Sequence, residues 1–319
     1  MPKKNLPPPL LLERELLRRY PDLPRAIEMA KQHYGKEYFH RELGAGLHVL
    51  HAMGHKMSFE EMSAIPFVTL WRESRVIYRY DAELADILMA QELPKVPCES
   101  LLHLPQWCVC ITDFDRTQNV VALYAVVDKG RIVILWQYND GGILMDMFPV
   151  HGNQGQAVTS MISEELLQKI SEVNRELMTK SINLLMYLCT ENAEIHTDRP
   201  RLPRISTPKD PDVTELPTRP TVYDVGTRIG AAIRKATSVN KACDEESTER
   251  QSGKHASPIP HVRRAHYATY WTGEGRTTPI VRWIEPVLVG VRGANGDVPT
   301  AIRPVMPPNK TENECGGNG

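Results

Sequence analysis

The sequence predicts an α+β protein: an antiparallel sheet with helices packed on one side, plus an N-terminal helical region. Three observations predict it. Apolar residues recur at helical spacing from Leu10 to about Ala90, short runs of β-branched and aromatic residues follow, and helical spacing returns from Gln156 to Cys189.

The elements follow in order. After Pro7, Pro8 and Pro9, the sets Leu12/Leu16/Leu17 and Leu84/Ile87/Leu88 mark three or four helices, and residues 1–92 form the N-terminal helical region. Residues 93–196 hold the sheet and its covering helices. The runs WCVCITD (Trp107 to Asp113), VVALYAVV (Val120 to Val127) and RIVILWQY (Arg131 to Tyr138) read as a meander, with Asp128-Lys129-Gly130 as a turn. Trp107 is the expected core anchor. Val158, Met161, Ile162, Leu166, Leu167 and Ile170, then Ile182, Leu185, Met186 and Cys189, read as two helices over one sheet face. Residues 197–220 carry Pro200, Pro203, Pro208, Pro211, Pro217 and Pro220 and form an extended linker. Within 221–290, a short helix from Asp224 to Ala236 and a polar loop from Lys241 to Ser257 precede a β-hairpin. Residues 291–319 lack periodicity and read as a disordered tail.

Composition narrows the function. The 319 residues carry 38 Lys+Arg against 39 Asp+Glu, a net charge of −1, which excludes a polybasic nucleic-acid coat and an acidic solvating tail. Six cysteines are too sparse for a disulfide scaffold, so a reducing, cytoplasmic setting is expected. No apolar run approaches the roughly 20 residues that span a bilayer, so no membrane partner is expected.

Three other local motifs read as structural. His48, His51 and His55 fall at i, i+3 and i+7 of a helix, a spacing that suits a metal, but Gly44, Gly46 and Gly54 weaken that helix and no Asp or Cys completes the set. Cys108 and Cys110 point to one face of a strand and lack the C-x-x-C spacing of zinc or redox sites, so they read as small core residues. The loop from His151 to Gln156 has neither the Lys-Ser/Thr of a phosphate loop nor a third glycine. No metal or other cofactor is expected.

The stretch from Lys254 to Gly290 stands apart. Lys254, His255, His261, Arg263, Arg264, His266, Arg276 and Arg282 are interleaved with Tyr267, Tyr270, Trp271 and Trp283, and its only acids are Glu274 and Glu285. Guanidinium groups pair with carboxylate or phosphate, and aromatic faces stack on bases or clasp apolar side chains. If HVRRAHYATYW is one strand, His261, Arg263, Tyr267 and Trp271 face one way and Arg264, His266 and Tyr270 the other. That separates His261 from His266, against their acting together on RNA as base and acid. The alternative to a recognition surface is that Trp271 and Trp283 anchor the core while the arginines solvate an edge strand. The candidate binding residues are Arg263, Arg264, His266, Tyr267, Trp271, Arg276, Arg282 and Trp283; no catalytic residue is assigned.

Four segments together carry a resemblance: LPQWCVCITD at Leu104 to Asp113, INLLMYLCTENAEI at Ile182 to Ile195, TVYDVGTRIGAAIRKA at Thr221 to Ala236 and PHVRRAHYATYWTGEGRTTPIVRWIEPVLV at Pro260 to Val289. From about Leu101 to Gly290 the chain resembles the second type V-A anti-CRISPR family, proteins of bacterial mobile elements. The resemblance implies a non-enzymatic protein that recognises the amino-terminal part of a nascent CRISPR effector nuclease and causes loss of its message, with the ribosome or message as further partners. A homo-oligomer is left open. Two rivals stand beside this reading: an RNA-binding or RNA-cleaving protein using the His/Arg cassette, and a plasmid or prophage regulator with another partner.

Overall fold

The structure, a computed structural model, describes residues 6–35, 45–115, 119–128, 130–150, 157–158, 172–196, 219–235 and 261–289. The chain divides into two compact units, one of residues 1–234 with 265–285 and the other of residues 235–264 with 286–319.

In the first unit, short runs of β-branched and aromatic residues pair into a seven-stranded sheet. Its strands are β1 (Val76–Tyr80), β2 (Cys108–Asp115), β3 (Val120–Asp128), β4 (Arg131–Tyr138), β5 (Ile143–Pro149), β6 (Ile195–His196) and β7 (Thr221–Val225), in the order β5-β4-β3-β2-β1-β7-β6. Strands β2 to β5 form the expected antiparallel meander extended by one strand. Strand β1 runs parallel to both β2 and β7, so the sheet is mixed. The class is α+β, with helices in the N-terminal region.

Period-two alternation gives the sheet two apolar faces. Cys108, Cys110, Ala122, Tyr124, Val126, Val133 and Leu135 face one cluster, in which the N-terminal helices bury Leu12, Leu16, Ile27, Phe67 and Trp71. These helices are α1 (Pro8–Arg19), α2 (Leu23–Tyr34), α3 (Ala45–Ala52) and α4 (Phe59–Ser74). Ser58 and Glu61 close a capping box on α4, worth about 1 kcal/mol for such a cap. Val109, Ile111, Leu123, Ala125, Ile132, Ile134 and Trp136 face the other cluster, covered by α5 (Ala82–Met89) and α6 (Glu172–Leu188). Two buried donors there are paired: Trp136 Nε1 donates to Ser181 Oγ at 2.8 Å and the Tyr80 hydroxyl to the Leu184 carbonyl at 2.6 Å.

Several local expectations need correction. Val76–Tyr80 is a strand inside the region read as wholly helical. Flanked by parallel neighbours, it is buried on both faces apart from Arg79 and shows no alternation. Thr221–Val225 is likewise a strand, and the helix read from Asp224 starts only after Gly226 and covers residues 227–235, here called α7. Trp107 is half-buried just ahead of β2, whereas Trp71, Trp136 and Trp283 are the fully buried indoles. The loop at His151–Gln156, the first of the two helices read after Gln156, most of the linker 197–220, the loop 241–257 and the tail 291–319 lie outside the described residues.

Two helices begin where parallel strands end. Asp81 follows β1 and caps α5, accepting from the Glu83 amide at 3.1 Å. Glu194, from the segment leading into β6, reaches the start of α7 and accepts from the Arg228 and Ile229 amides at 2.9 and 3.2 Å. The two carboxylates fill the two helix N-termini, where peptide dipoles favour negative charge.

A candidate recognition hairpin

The cassette does not form one strand. It breaks at Arg264–Ala265 into β8 (His261–Arg263), which pairs with β11 (Val287–Val289) in the second unit, and β9 (His266–Thr272), which pairs with β10 (Thr278–Ile284) in the first. The β9/β10 register sets Tyr267 opposite Trp283, Ala268 opposite Arg282, Tyr270 opposite Ile280 and Trp271 opposite Pro279. Alternation therefore gives one face Tyr267, Thr269, Trp271, Pro279, Val281 and Trp283, and the other His266, Ala268, Tyr270, Ile280 and Arg282.

The root of this hairpin is core. Trp283 is 1% exposed and packs edge-on against Tyr187. Its amide donates to Asn192 Oδ1 at 3.0 Å and its carbonyl accepts from Asn192 Nδ2 at 2.9 Å, so one side-chain amide stands in for a strand partner. The Tyr267 hydroxyl donates to the Asn183 carbonyl at 2.7 Å, and burial pushes its pKa well above the ordinary tyrosine value. The Glu191 amide donates to the Val281 carbonyl at 3.0 Å.

The tip is different. Gly273, Gly275 and Arg276 adopt positive φ around the turn, and residues 273–278 are exposed. Trp271 shares the face of Trp283 but lies beyond the end of the core, and it is 44% exposed. On the opposite face Tyr270 is 49% exposed, with the Arg282 guanidinium 5.7 Å from its ring centroid, inside the distance at which a cation is attracted to a ring. Arg282 also pairs with Glu191 at 2.5 Å, on the surface, where such pairs contribute about 0–1 kcal/mol.

The sequence-derived residues thus separate. Trp271 and Arg276 lie toward the tip of the hairpin, Arg282 is exposed on the outward face beside the root, Tyr267 and Trp283 secure that root, and His266 is exposed at the start of β9. Arg264 is exposed between β8 and β9, and Arg263 ends β8 opposite Val287. Tyr270 lies outside the sequence-derived set, although strand alternation puts it on the face opposite Tyr267 and Trp271. The three histidines read as a candidate metal set do not share a helix: α3 ends at Ala52, Gly54 turns the chain at positive φ, and His55 meets the Tyr20 ring and Asp22. Among the described residues no group of His, Cys, Asp and Glu is placed to hold a metal, and no helix is long and apolar enough to cross a membrane.

Fold and hairpin together define a mixed α+β protein that displays aromatic and cationic groups from a strand pair rooted in its core. Residues 78–291 match AcrVA2-like, the anti-CRISPR type V subtype A2 family, and the chain belongs to that family. Among solved structures, the crystal structure of AcrVA2 aligns with 86% of this chain and 96% of that chain, with a TM-score of 0.58 and 20% identity, a likeness of fold. None of the curated proteins compared matches the chain.

Proposed function

We propose that this anti-CRISPR family member is a non-catalytic recognition protein that binds the N-terminal part of a nascent CRISPR effector nuclease and lowers its production. The outer hairpin is the gripping surface, with Tyr270, Trp271, Arg276 and Arg282 in contact and Arg263, Arg264 and His266 near them in the chain. One observation carries the reading: Arg282 lies over the exposed Tyr270 ring on the outward face of a hairpin whose inward face is fixed at its root by Trp283 and Tyr267. Rings and guanidinium groups held in place before a partner arrives lose little conformational freedom on binding, the reason such residues dominate binding energetics.

The test is capture. Tagged protein is expressed beside an effector nuclease whose first residues are intact or deleted, and the copurifying polypeptide and message are measured. Trp271→Ala combined with Arg282→Ala is expected to lower capture by about tenfold or more, as for loss of central aromatic and arginine anchors. Capture unchanged by that pair, or by deletion of the effector's amino terminus, overturns the proposal. Binding of labelled RNA that falls steeply with salt and is lost in the same variant, alongside unchanged protein capture, assigns the surface to phosphate instead.

A further inference from the structure

We propose that the open edge of β5 accepts an extended, basic polypeptide segment as an added strand. Strand β5 ends the sheet, and among the described residues its only strand partner is β4. The register fixes which backbone groups look outward. The Tyr138 amide donates to the Gly142 carbonyl at 2.9 Å and the Val150 amide to the Gly130 carbonyl at 2.8 Å, and Ile134 stands opposite Asp146 between them. Hydrogen-bonded pairs alternate along an antiparallel ladder, so the even-numbered residues of β5 bond to β4. Ile143, Met145, Met147 and Pro149 turn their backbone groups to the edge.

That edge is closed at one end and open at the other. Pro149 has no amide hydrogen, and the Met147 amide donates to Asp146 Oδ1 at 2.8 Å. Proline and charged side chains are devices by which proteins blunt an exposed edge. The amides of Ile143 and Met145 have neither. The strand is firmly held there, because Ile143 and Met145 pack against the cluster of the N-terminal helices while Leu144 and Phe148 pack against the other.

Charge selects the occupant. Exposed Asp140 precedes the open donors and half-buried Asp146 follows them, while Arg131, whose Nη1 lies 3.4 Å from Met147 Sδ, stands at the Pro149 end. A strand carrying lysine or arginine pairs with both acids. A second copy of this chain is disfavoured, since antiparallel pairing of two such edges brings two Asp146 carboxylates into one short ladder. This site shares with the proposed function only the premise that the ligand is a polypeptide, and it lies on a different surface.

The test uses the full chain and short fluorescent peptides read by anisotropy: one alternating valine with lysine, its glutamate analogue, and the lysine peptide N-methylated on alternate amides. The lysine peptide is expected to bind at least about tenfold more tightly than either other peptide, the loss that one hydrogen bond to a charged or desolvated partner produces. Asp146→Lys should reverse the preference between lysine and glutamate peptides, and Met145→Pro should weaken binding about tenfold by removing an outward donor without breaking the β4 ladder. Trp271→Ala should change nothing, so failure of the hairpin reading leaves this result standing. Equal binding of the N-methylated and parent peptides, equal binding of lysine and glutamate peptides, loss of binding in Trp271→Ala, or a wild-type dimer that Met145→Pro dissociates each overturns the proposal.

Discussion

The ring of Trp283 stands edge-on to that of Tyr187, with centroids 5.5 Å apart and planes at 82°. The contact joins β10 to α6 and is one of the aromatic geometries that add to simple burial. Tyr187 continues the chain of contacts to Tyr80, 6.0 Å away between centroids, and its hydroxyl accepts from the Glu194 amide at 3.1 Å. The hairpin is therefore tied to a central strand and to the start of α7 through one tyrosine.

Root and tip should respond differently to substitution. Trp283→Ala is expected to destabilise the protein by about 3–5 kcal/mol, the range for a fully buried large aromatic. Tyr267→Phe should cost about 1 kcal/mol through loss of its hydrogen bond to Asn183. Tyr270→Ala and Trp271→Ala should stay within about 0.5 kcal/mol of wild type, as exposed positions do. Chemical denaturation measures all four; a tip variant that unfolds the protein contradicts the division.

Arg282→Lys keeps the charge but removes the planar group over Tyr270. Stability should change by no more than about 0.5 kcal/mol, because the pair with Glu191 is at the surface. Partner capture should nevertheless fall, and a lysine variant that captures as well as wild type shows that charge alone suffices at this position.

Gly230 permits α7 to approach the start of α5. A Cβ at this position would sit 1.8 Å from Asp81 Oδ1, the oxygen that caps α5 and meets Arg234 at 2.9 Å. Gly226 has φ of +72°, and its Cβ would meet Leu84 Cδ2 at 1.9 Å. Gly230→Ala should cost roughly 1–3 kcal/mol, in line with overpacking, and thermal unfolding should reveal it. An exposed helical glycine would give the opposite sign.

Acid should loosen the junction of β7 and α7. Burial by itself raises the Glu194 carboxyl, but the Arg228 and Ile229 amides and the Arg228 and His196 side chains outweigh it and hold the pKa below the ordinary 4.5. The unfolded chain then binds more protons than the folded one near that pH, so this carboxylate stabilises the fold above 4.5 and loses its contribution as pH falls through the lowered value. Glu194→Gln should destabilise by about 2 kcal/mol at neutral pH, the scale of hydrogen bonds to a charged group, with a smaller loss in acid. Urea midpoints followed from neutral to acidic pH supply the comparison, and a difference independent of pH contradicts the assignment.

The meander was legible because each of its runs alternates or is rich in β-branched residues, and the hairpin because Gly273 and Gly275 separate two aromatic strands. Strand β1 was not, since VIYRY lies between two helices and is buried on both faces, so no alternation distinguishes it from helical surroundings. Strand β5 was missed for a related reason: Asp146 and Pro149 lower its apparent strand propensity while serving the edge. At the candidate site, composition singled out the cassette, yet it could not separate Trp271 from Trp283. They share a face, and only the extent of the core beneath that face makes one interior and the other a surface group.

Asp81 and Glu194 occupy the helix starts that follow the parallel strands β1 and β7. In open sheets with parallel strands, phosphorylated small molecules commonly settle beyond the carboxyl ends of those strands, against the first turns of the following helices. Here both landing places are already taken by the protein's own acids, each latched by arginine from α7, so an anionic metabolite arriving there meets two negative tenants. The parallel strands of this molecule set the first turns of α5 and α7 in place, and the charge that fills those turns belongs to the fold itself.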